Sequence, residues 1–167
     1  MTSRSPFHDA HLSRIWKAVR EGHVANVRRE LAKQPTLFQS FPAESADILA
    51  LAIQSIGAHA RVTLLTPFDE AGEKLSAHRD LFDVLVDAGA AVNSASDSPR
   101  IPPLHAAAQL PHPLFVRELL LRGADRDRAV HGITAADLVR RRRSGATEPE
   151  DLMRDDAFLE LLASAQD

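Results

Sequence analysis

Residues 103–125 read PLHAAAQLPHPLFVRELLLRGAD, and the end of this stretch has a counterpart earlier in the chain. The earlier copy is DAGAAVN at 87–93, so that Gly89 and Gly123 lie 34 residues apart. Each glycine follows an apolar helical stripe. We therefore expect it to be the residue just beyond the helix C-terminus, in the left-handed conformation that ends a helix. Helix ends that recur at this spacing predict an array of similar helical units.

A short Ala-rich segment also recurs, as ILALAIQ at 48–54, PLHAAAQ at 103–109 and GITAADL at 132–138. Small side chains at these positions let neighbouring helices approach closely, so the repeating unit is a helix, a turn, a helix, a glycine and a loop. The composition, rich in Ala and Leu with seven Phe, one Trp and no Tyr, favours helices over strands. We therefore predict an all-α fold.

The combination of PLHAAA at 103–108 with LLLRGAD at 119–125 resembles an ankyrin repeat, and residues 15–31 are similar to the degenerate first repeat of many such proteins. The resemblance implies a solenoid of about four helix-turn-helix repeats with capping helices and an insertion in the second repeat. It divides a single domain, 1–167, into repeats at 10–40, 44–93 with the insertion at 57–76, 99–128 and 132–165, the last as the C-terminal cap.

Both ends of the array carry signals for capping helices. Asp9 is predicted to cap a first helix with an apolar stripe and a basic outer face, made respectively of Leu12, Ile15, Trp16, Val19 and of Arg14, Lys17, Arg20. At the other end, Thr147 and Glu150 have the spacing of a capping box. They precede a closing helix that carries Leu152, Phe158, Leu159 and Leu162.

The insertion separates a helix predicted to end near Ile56 from one predicted to begin near Ala77, where the family needs only a tight turn. It contains four apolar residues, Val62, Leu64, Leu65 and Phe68, and the stretch 66–69 reads TPFD, which predicts a short helix start. Two interpretations stay open: the insertion adds a contact surface, or it covers an exposed edge of the stack.

Patterns of catalysis are missing from the sequence. There is no cysteine, no G-x-S-x-G elbow and no phosphate-binding glycine loop. The eight histidines form no liganding motif, and the closest pair, His8 and His11, lacks a third ligand. The resemblance implies that His105 hydrogen-bonds the backbone of a neighbouring loop, and the adjacent Asp155 and Asp156 are interpreted as solvated charges. We therefore expect a non-enzyme without catalytic residues, cofactor or metal.

The strongest charge feature is Arg140-Arg141-Arg142-Arg143, in a chain with 20 basic and 23 acidic residues. Acids close behind it, at 148–156, are available to pair with it. Pairing within the chain is favoured over an acidic protein partner, and nucleic acid is the least favoured partner. The N-terminus lacks a secretory apolar core and the apolar runs are short, so we expect a cytoplasmic protein that does not enter the membrane.

The resemblance implies a protein–protein interaction module whose concave side, formed by loop tips and first helices, binds a partner protein. The residues expected there are Glu44, Gln54, Ser55, Ser98, Arg100, Ile101, Gln109, Leu110, Val130, His131, Ile133, Arg141 and Arg142. The insertion is a possible second contact, and we expect a monomer before partner binding. Two alternatives are an inhibitor or immunity protein that blocks a toxin or enzyme, and a nucleic-acid-associated regulator that uses Arg140 to Arg143.

Overall fold

The computed structural model describes residues 9–63, 79–94 and 100–164, and this part of the chain is mostly helical, with one short two-stranded sheet. The predicted all-α fold is confirmed. Its elements in chain order are α1 (Ala10–Arg20), α2 (Val24–Lys33), α3 (Leu37–Ser40), α4 (Pro42–Thr63), α5 (79–87), α6 (Pro103–Ala108), α7 (Leu114–Leu121), β1 (Ala129–Val130), β2 (Ile133–Thr134), α8 (Ala135–Gly145) and α9 (Pro149–Ser164).

The helices are stacked as a series of hairpins. The first helices, α1, α4, α6 and α8, form a row in which each packs against the next. The second helices are α2, α5, α7 and α9. Three of them, α2, α7 and α9, pack against the first helices α1, α6 and α8, respectively, and α7 also packs against α9. The fold is therefore a linear stack in which each hairpin is stabilised by its neighbours.

Glycines end the helices at the places that the sequence predicted. Gly89 and Gly123 have φ values of +86° and +82°, a conformation that side chains with a Cβ rarely adopt. The amide of the residue after each glycine donates to a carbonyl five residues back, at 3.0 Å from Ala90 to Leu85 and at 2.9 Å from Ala124 to Leu119. The same backbone bond follows α1, so three helices end in one way.

A single apolar core runs through the stack, and its largest fully buried side chains include four phenylalanines, Phe38, Phe82, Phe115 and Phe158. The Phe82 and Phe115 rings meet edge to face at 5.2 Å between centroids and join α5 to α7. Burying each such side chain contributes about 1.5–3 kcal/mol. The core therefore includes contacts between hairpins as well as contacts within them.

The predicted capping of α1 is confirmed, because the Asp9 carboxylate accepts hydrogen bonds from the amides of His11 at 2.7 Å and Leu12 at 3.0 Å. The prediction for α9 was wrong by one residue. The helix begins with Pro149 in its first turn, and the Glu148 carbonyl accepts from Leu152, so Thr147 lies outside the cap position. Proline suits a first helical position because it lacks the amide hydrogen that would have no partner there.

Helix α4 is longer than predicted. It continues to Thr63 rather than ending near Ile56, so the first part of the predicted insertion is helical. The remainder of the insertion, including the helix start predicted at 66–69, lies outside the described residues, as do His8 and Ser98.

Candidate functional site

The loops that join successive hairpins are tied to one another by side chains. The Asn93 amide donates to the Gly123 carbonyl at 3.0 Å and its oxygen accepts from the Asp125 amide at 2.8 Å. His105 is buried in α6, and its Nε2 lies 2.9 Å from the carbonyl oxygen of Ile133. The predicted structural role of His105 is confirmed, and these bonds hold the loop tips in fixed positions.

The clearest loop tip is the β1–β2 hairpin, in which Val130 pairs with Ile133. Its two central residues, His131 and Gly132, have φ values of +51° and +74°, as a tight two-residue hairpin turn requires. His131 is exposed, whereas Val130 and Ile133 are half-buried. All three predicted residues of this tip are therefore accessible, at least in part.

Three of the predicted residues along the row of first helices are exposed. Gln54 on α4, Gln109 just after α6 and Arg141 on α8 all face solvent. Each of the two glutamines follows a pair of buried residues, so the chain exposes the same position in successive hairpins. These three predicted residues are therefore accessible along the row of first helices.

Four further predicted residues lie on α4 or just before α6. Ile101 is an exposed large hydrophobic residue, with 40% of its surface accessible, at the start of α6. Arg100 is half-buried, and its Nε lies 3.3 Å from a carboxylate oxygen of Asp47. Glu44 is half-buried in the first turn of α4, and the Ser55 hydroxyl donates to the Ala52 carbonyl at 2.7 Å.

Leu110 was wrongly assigned to the surface, since only 3% of it is accessible. It lies in the turn after α6, where its amide donates to the Ala107 carbonyl at 3.1 Å, and its apolar side chain is buried in the core. Its carbonyl faces outward from the helix end and accepts a hydrogen bond from Arg142 at 3.2 Å.

Arg142 was also expected to face a partner, but its guanidinium group is engaged within the protein. It donates to the Ala108 and Leu110 carbonyls, lies 2.6 Å from a carboxylate oxygen of Asp155, and stacks over the Phe158 ring at 4.8 Å. A planar group with five donors can satisfy carbonyls and a carboxylate together. Arg142 therefore joins α6, α8 and α9 instead of offering a binding group.

The other arginines of the run differ from one another. Arg140 pairs with Asp137 at 2.9 Å and Arg143 with Asp156 at 2.7 Å. Arg141 is exposed and forms no ion pair with any described residue. Pairing within the chain, the favoured interpretation of this run, is thus observed for three of the four arginines.

Two buried carboxylates were missed by the sequence interpretation. The interpretation of Asp155 as a solvated charge was wrong, because this residue is fully buried. Its spacing of three residues from the apolar Leu152 and Phe158 was the pattern that could have indicated burial. Glu30 on α2 is buried beside Lys33 at 2.7 Å and His11 at 3.1 Å. The hydrogen bond from Lys33 is the main cause that lowers the pKa of Glu30 to about 2, against the opposing effect of burial.

Metal ligation and membrane crossing have no candidate among the described residues. In residues 9–63, 79–94 and 100–164, no group of three His, Asp or Glu side chains could hold a metal ion. Among the helices that the structure describes, none is both long and apolar enough for a membrane crossing.

The stack of helical hairpins, with glycine-ended helices and tied loop tips, defines a helical-repeat protein. The family model for the ankyrin repeat matches residues 101–130, which span α6, α7 and β1. This match supports an ankyrin-repeat protein, and an ankyrin repeat suggests a protein–protein interaction module. No curated protein matches the chain.

Proposed function

We propose that this protein is a non-enzymatic module that binds a partner protein through the concave side of its repeats. The observation that carries the proposal is the exposed row Gln54, Gln109 and Arg141, beside the exposed Ile101 and the β1–β2 tip. Rigid loop tips beside an uninterrupted helical row offer a broad surface that needs little ordering on binding. The proposal includes a single domain over 1–167 with the repeat boundaries given above, a cytoplasmic location and a monomeric free state.

The test uses the immobilised full-length chain to capture partners, which mass spectrometry identifies and which are then purified for calorimetric titration. The groove variant combines Ile101→Ser with Gln109→Ala, two uncharged changes at exposed positions. The matched control combines Leu121→Ser with Met153→Ala, at exposed apolar residues of α7 and α9. We expect the groove variant to weaken affinity by about tenfold or more and the control to leave it within about twofold.

Equal affinity of the wild type and the groove variant for the purified partner, with unchanged thermal melts, would contradict the proposal. An inhibitor of a toxin or enzyme would use the same surface, and it is distinguished by whether the captured partner loses its activity in the complex. The nucleic-acid alternative has less support, because three of the four arginines of the run are paired with aspartates.

The insertion is proposed as a second contact and is tested separately. Because α4 continues to Thr63, the replacement should spare residues 57–63 and exchange only 64–76 for a short Gly-containing linker. Loss of capture with a retained cooperative melt would make this segment a binding element, and unchanged capture would leave it a structural cover.

A further inference from the structure

The charges of the molecule are divided between its two sets of helices, a division hidden by the net charge of −3. Counting residues whose side chains are described, the first helices carry a net +4: +3 on α1, −2 on α4, none on α6 and +3 on α8. The second helices carry −4: +2 on α2, −2 on α5, none on α7 and −4 on α9. The first helices therefore carry the excess of positive charge, part of which is paired with acids of the second helices.

Both ends of this row present cations that are free to bind an anion. Lys17 and Arg20 on α1 and Arg141 on α8 are exposed, and none of them forms an ion pair within the described part of the chain. The Arg20 guanidinium lies 4.9 Å from the centroid of the Trp16 ring, which leaves its hydrogen-bond donors open. Between these ends, the exposed Gln54 and Gln109 add neutral amides.

The acids of the first helices do not oppose binding at these positions. Asp47 is paired with Arg100 at 3.3 Å. Asp137 caps α8 and pairs with Arg140, and its pKa is lowered mainly by the hydrogen bond from the Thr134 backbone. Only Glu44, in the first turn of α4, adds a half-buried negative charge without a described ion pair. The exposed residues Gln54, Gln109 and Arg141 themselves present donors and no carboxylate.

We infer that the row of first helices binds an acidic, extended segment of the partner protein, with carboxylates at the Lys17–Arg20 end and at Arg141. This inference rests on the proposed function and names the chemistry of the partner. Neighbouring helix axes lie about 8–10 Å apart, so the three steps from α1 to α8 span about 25–30 Å. An extended segment of about eight or nine residues covers that distance.

An acidic protein segment fits this surface better than a nucleic acid or a membrane. Nucleic acids need closely spaced cations along a groove and open aromatic faces, whereas the middle of the row is neutral and Trp16 is covered by Arg20. A membrane surface would favour apolar residues beside the cations. The exposed large hydrophobic residues of the described chain are Ile101, Leu121 and Met153, none of them on α1 or α8.

The experiment measures fluorescence anisotropy of a labelled peptide of alternating Glu and Ser, about ten residues long, mixed with the full-length protein at low and at high salt. A Gln/Ser peptide of equal length is the reference. The test variant combines Lys17→Glu with Arg141→Glu. The matched control combines Arg29→Glu with Arg117→Glu, which makes the same change in net charge at exposed positions of second helices.

We expect saturable, salt-sensitive binding of the Glu/Ser peptide, weakened at least about tenfold in the test variant and less than about threefold in the control. Equal losses in both variants, or no saturable binding by the wild type, would overturn the inference. Tighter binding of an oligothymidine or of phosphatidylserine vesicles, with the same dependence on Lys17 and Arg141, would also overturn it. If the Glu/Ser peptide does not bind while the uncharged groove variant still abolishes capture of the partner, the proposed function stands. Only the inference that the partner segment is acidic is then overturned.

Discussion

The two end hairpins of the stack each bury one carboxylate, but they neutralise it in different ways. In the α1–α2 hairpin, Glu30 is surrounded by separate side chains, Lys33, His11 and Arg14, which remain partly exposed. In the α8–α9 hairpin, Asp155 is fully buried against Arg142, whose other donors bind carbonyls at the end of α6. The N-terminal cluster therefore joins two helices of one hairpin, whereas the C-terminal one joins two hairpins.

This difference predicts unequal contributions to stability. A charge cluster that water can reach is weakened by screening and by the freedom of its long side chains. A fully buried carboxylate depends on its partner, because removing one member leaves the other desolvated and uncompensated. We expect the C-terminal hairpin to depend more strongly on its ion pair.

The largest effect is expected for Asp155→Ala. The change leaves the Arg142 guanidinium without its carboxylate, and we expect a loss of about 3 kcal/mol in the free energy of unfolding measured by urea denaturation. The control is Asp156→Ala, which removes the exposed partner of Arg143 and should cost no more than about 0.5 kcal/mol. Similar losses of stability in the two variants would mean that burial does not make the Arg142–Asp155 pair more important than the exposed Arg143–Asp156 pair.

Arg142→Lys should follow in size. An ammonium group cannot reach the Asp155 carboxylate and both carbonyls of the α6 end at once, so we expect a loss of about 2 kcal/mol. Arg143→Lys, at an exposed pair, is the control and should be nearly neutral in the same denaturation experiment. A neutral Arg142→Lys would show that the link between hairpins needs only a positive charge.

The helix N-caps of the two end hairpins should contribute more similar amounts to the free energy of unfolding than their ion pairs do. Asp9 accepts from two amides of α1, and Thr134 forms a reciprocal capping box with Asp137 at the start of α8. We expect Asp9→Ala and Thr134→Ala each to cost about 1 kcal/mol, measured by thermal and urea unfolding. A much larger effect of Thr134→Ala would indicate that the β1–β2 tip unfolds together with the cap.

The smallest effect is expected at Glu30, and it should depend on pH. Because the pKa of Glu30 falls from 4.5 to about 2 on folding, its contribution is complete above about pH 4.5 and is lost as the pH falls towards 2. We expect the wild type to be more stable than Glu30→Gln at neutral pH and the difference to shrink on acidification. A difference that stays constant between pH 6 and about pH 2 would contradict this assignment of the lowered pKa.

Much of the fold could be predicted because it is governed by local rules. A glycine beyond an apolar stripe ends a helix whatever the remainder of the chain does, and Asp9 caps α1 through amides two and three residues away. The hydrogen bond of His105 was predictable for another reason. The resemblance to an ankyrin repeat implies that a histidine at this position bonds the backbone of a neighbouring loop. The end of α4 was not predictable in this way, because the family pattern contains no segment with which residues 57–63 could be compared.

The candidate site was less predictable, and neighbouring arginines show why. Arg141 and Arg142 were assigned to one surface, yet one is exposed and the other joins three helices. Consecutive residues on a helix point about 100° apart, and a core that closes on one of them leaves the other in water. Asp155 and Asp156 differ for the same reason.

Residue pattern alone was enough to specify the class of fold, the helix ends and the repeating hairpin, since all of these depend on interactions within a few residues or within one period. Which charges of the α8–α9 hairpin are buried, and so which remain available to a partner, depended on how α8 packs on α6 and how α9 packs on α8. That packing brings together residues more than thirty positions apart, such as Arg142 and Ala108, and no local rule encodes their distance.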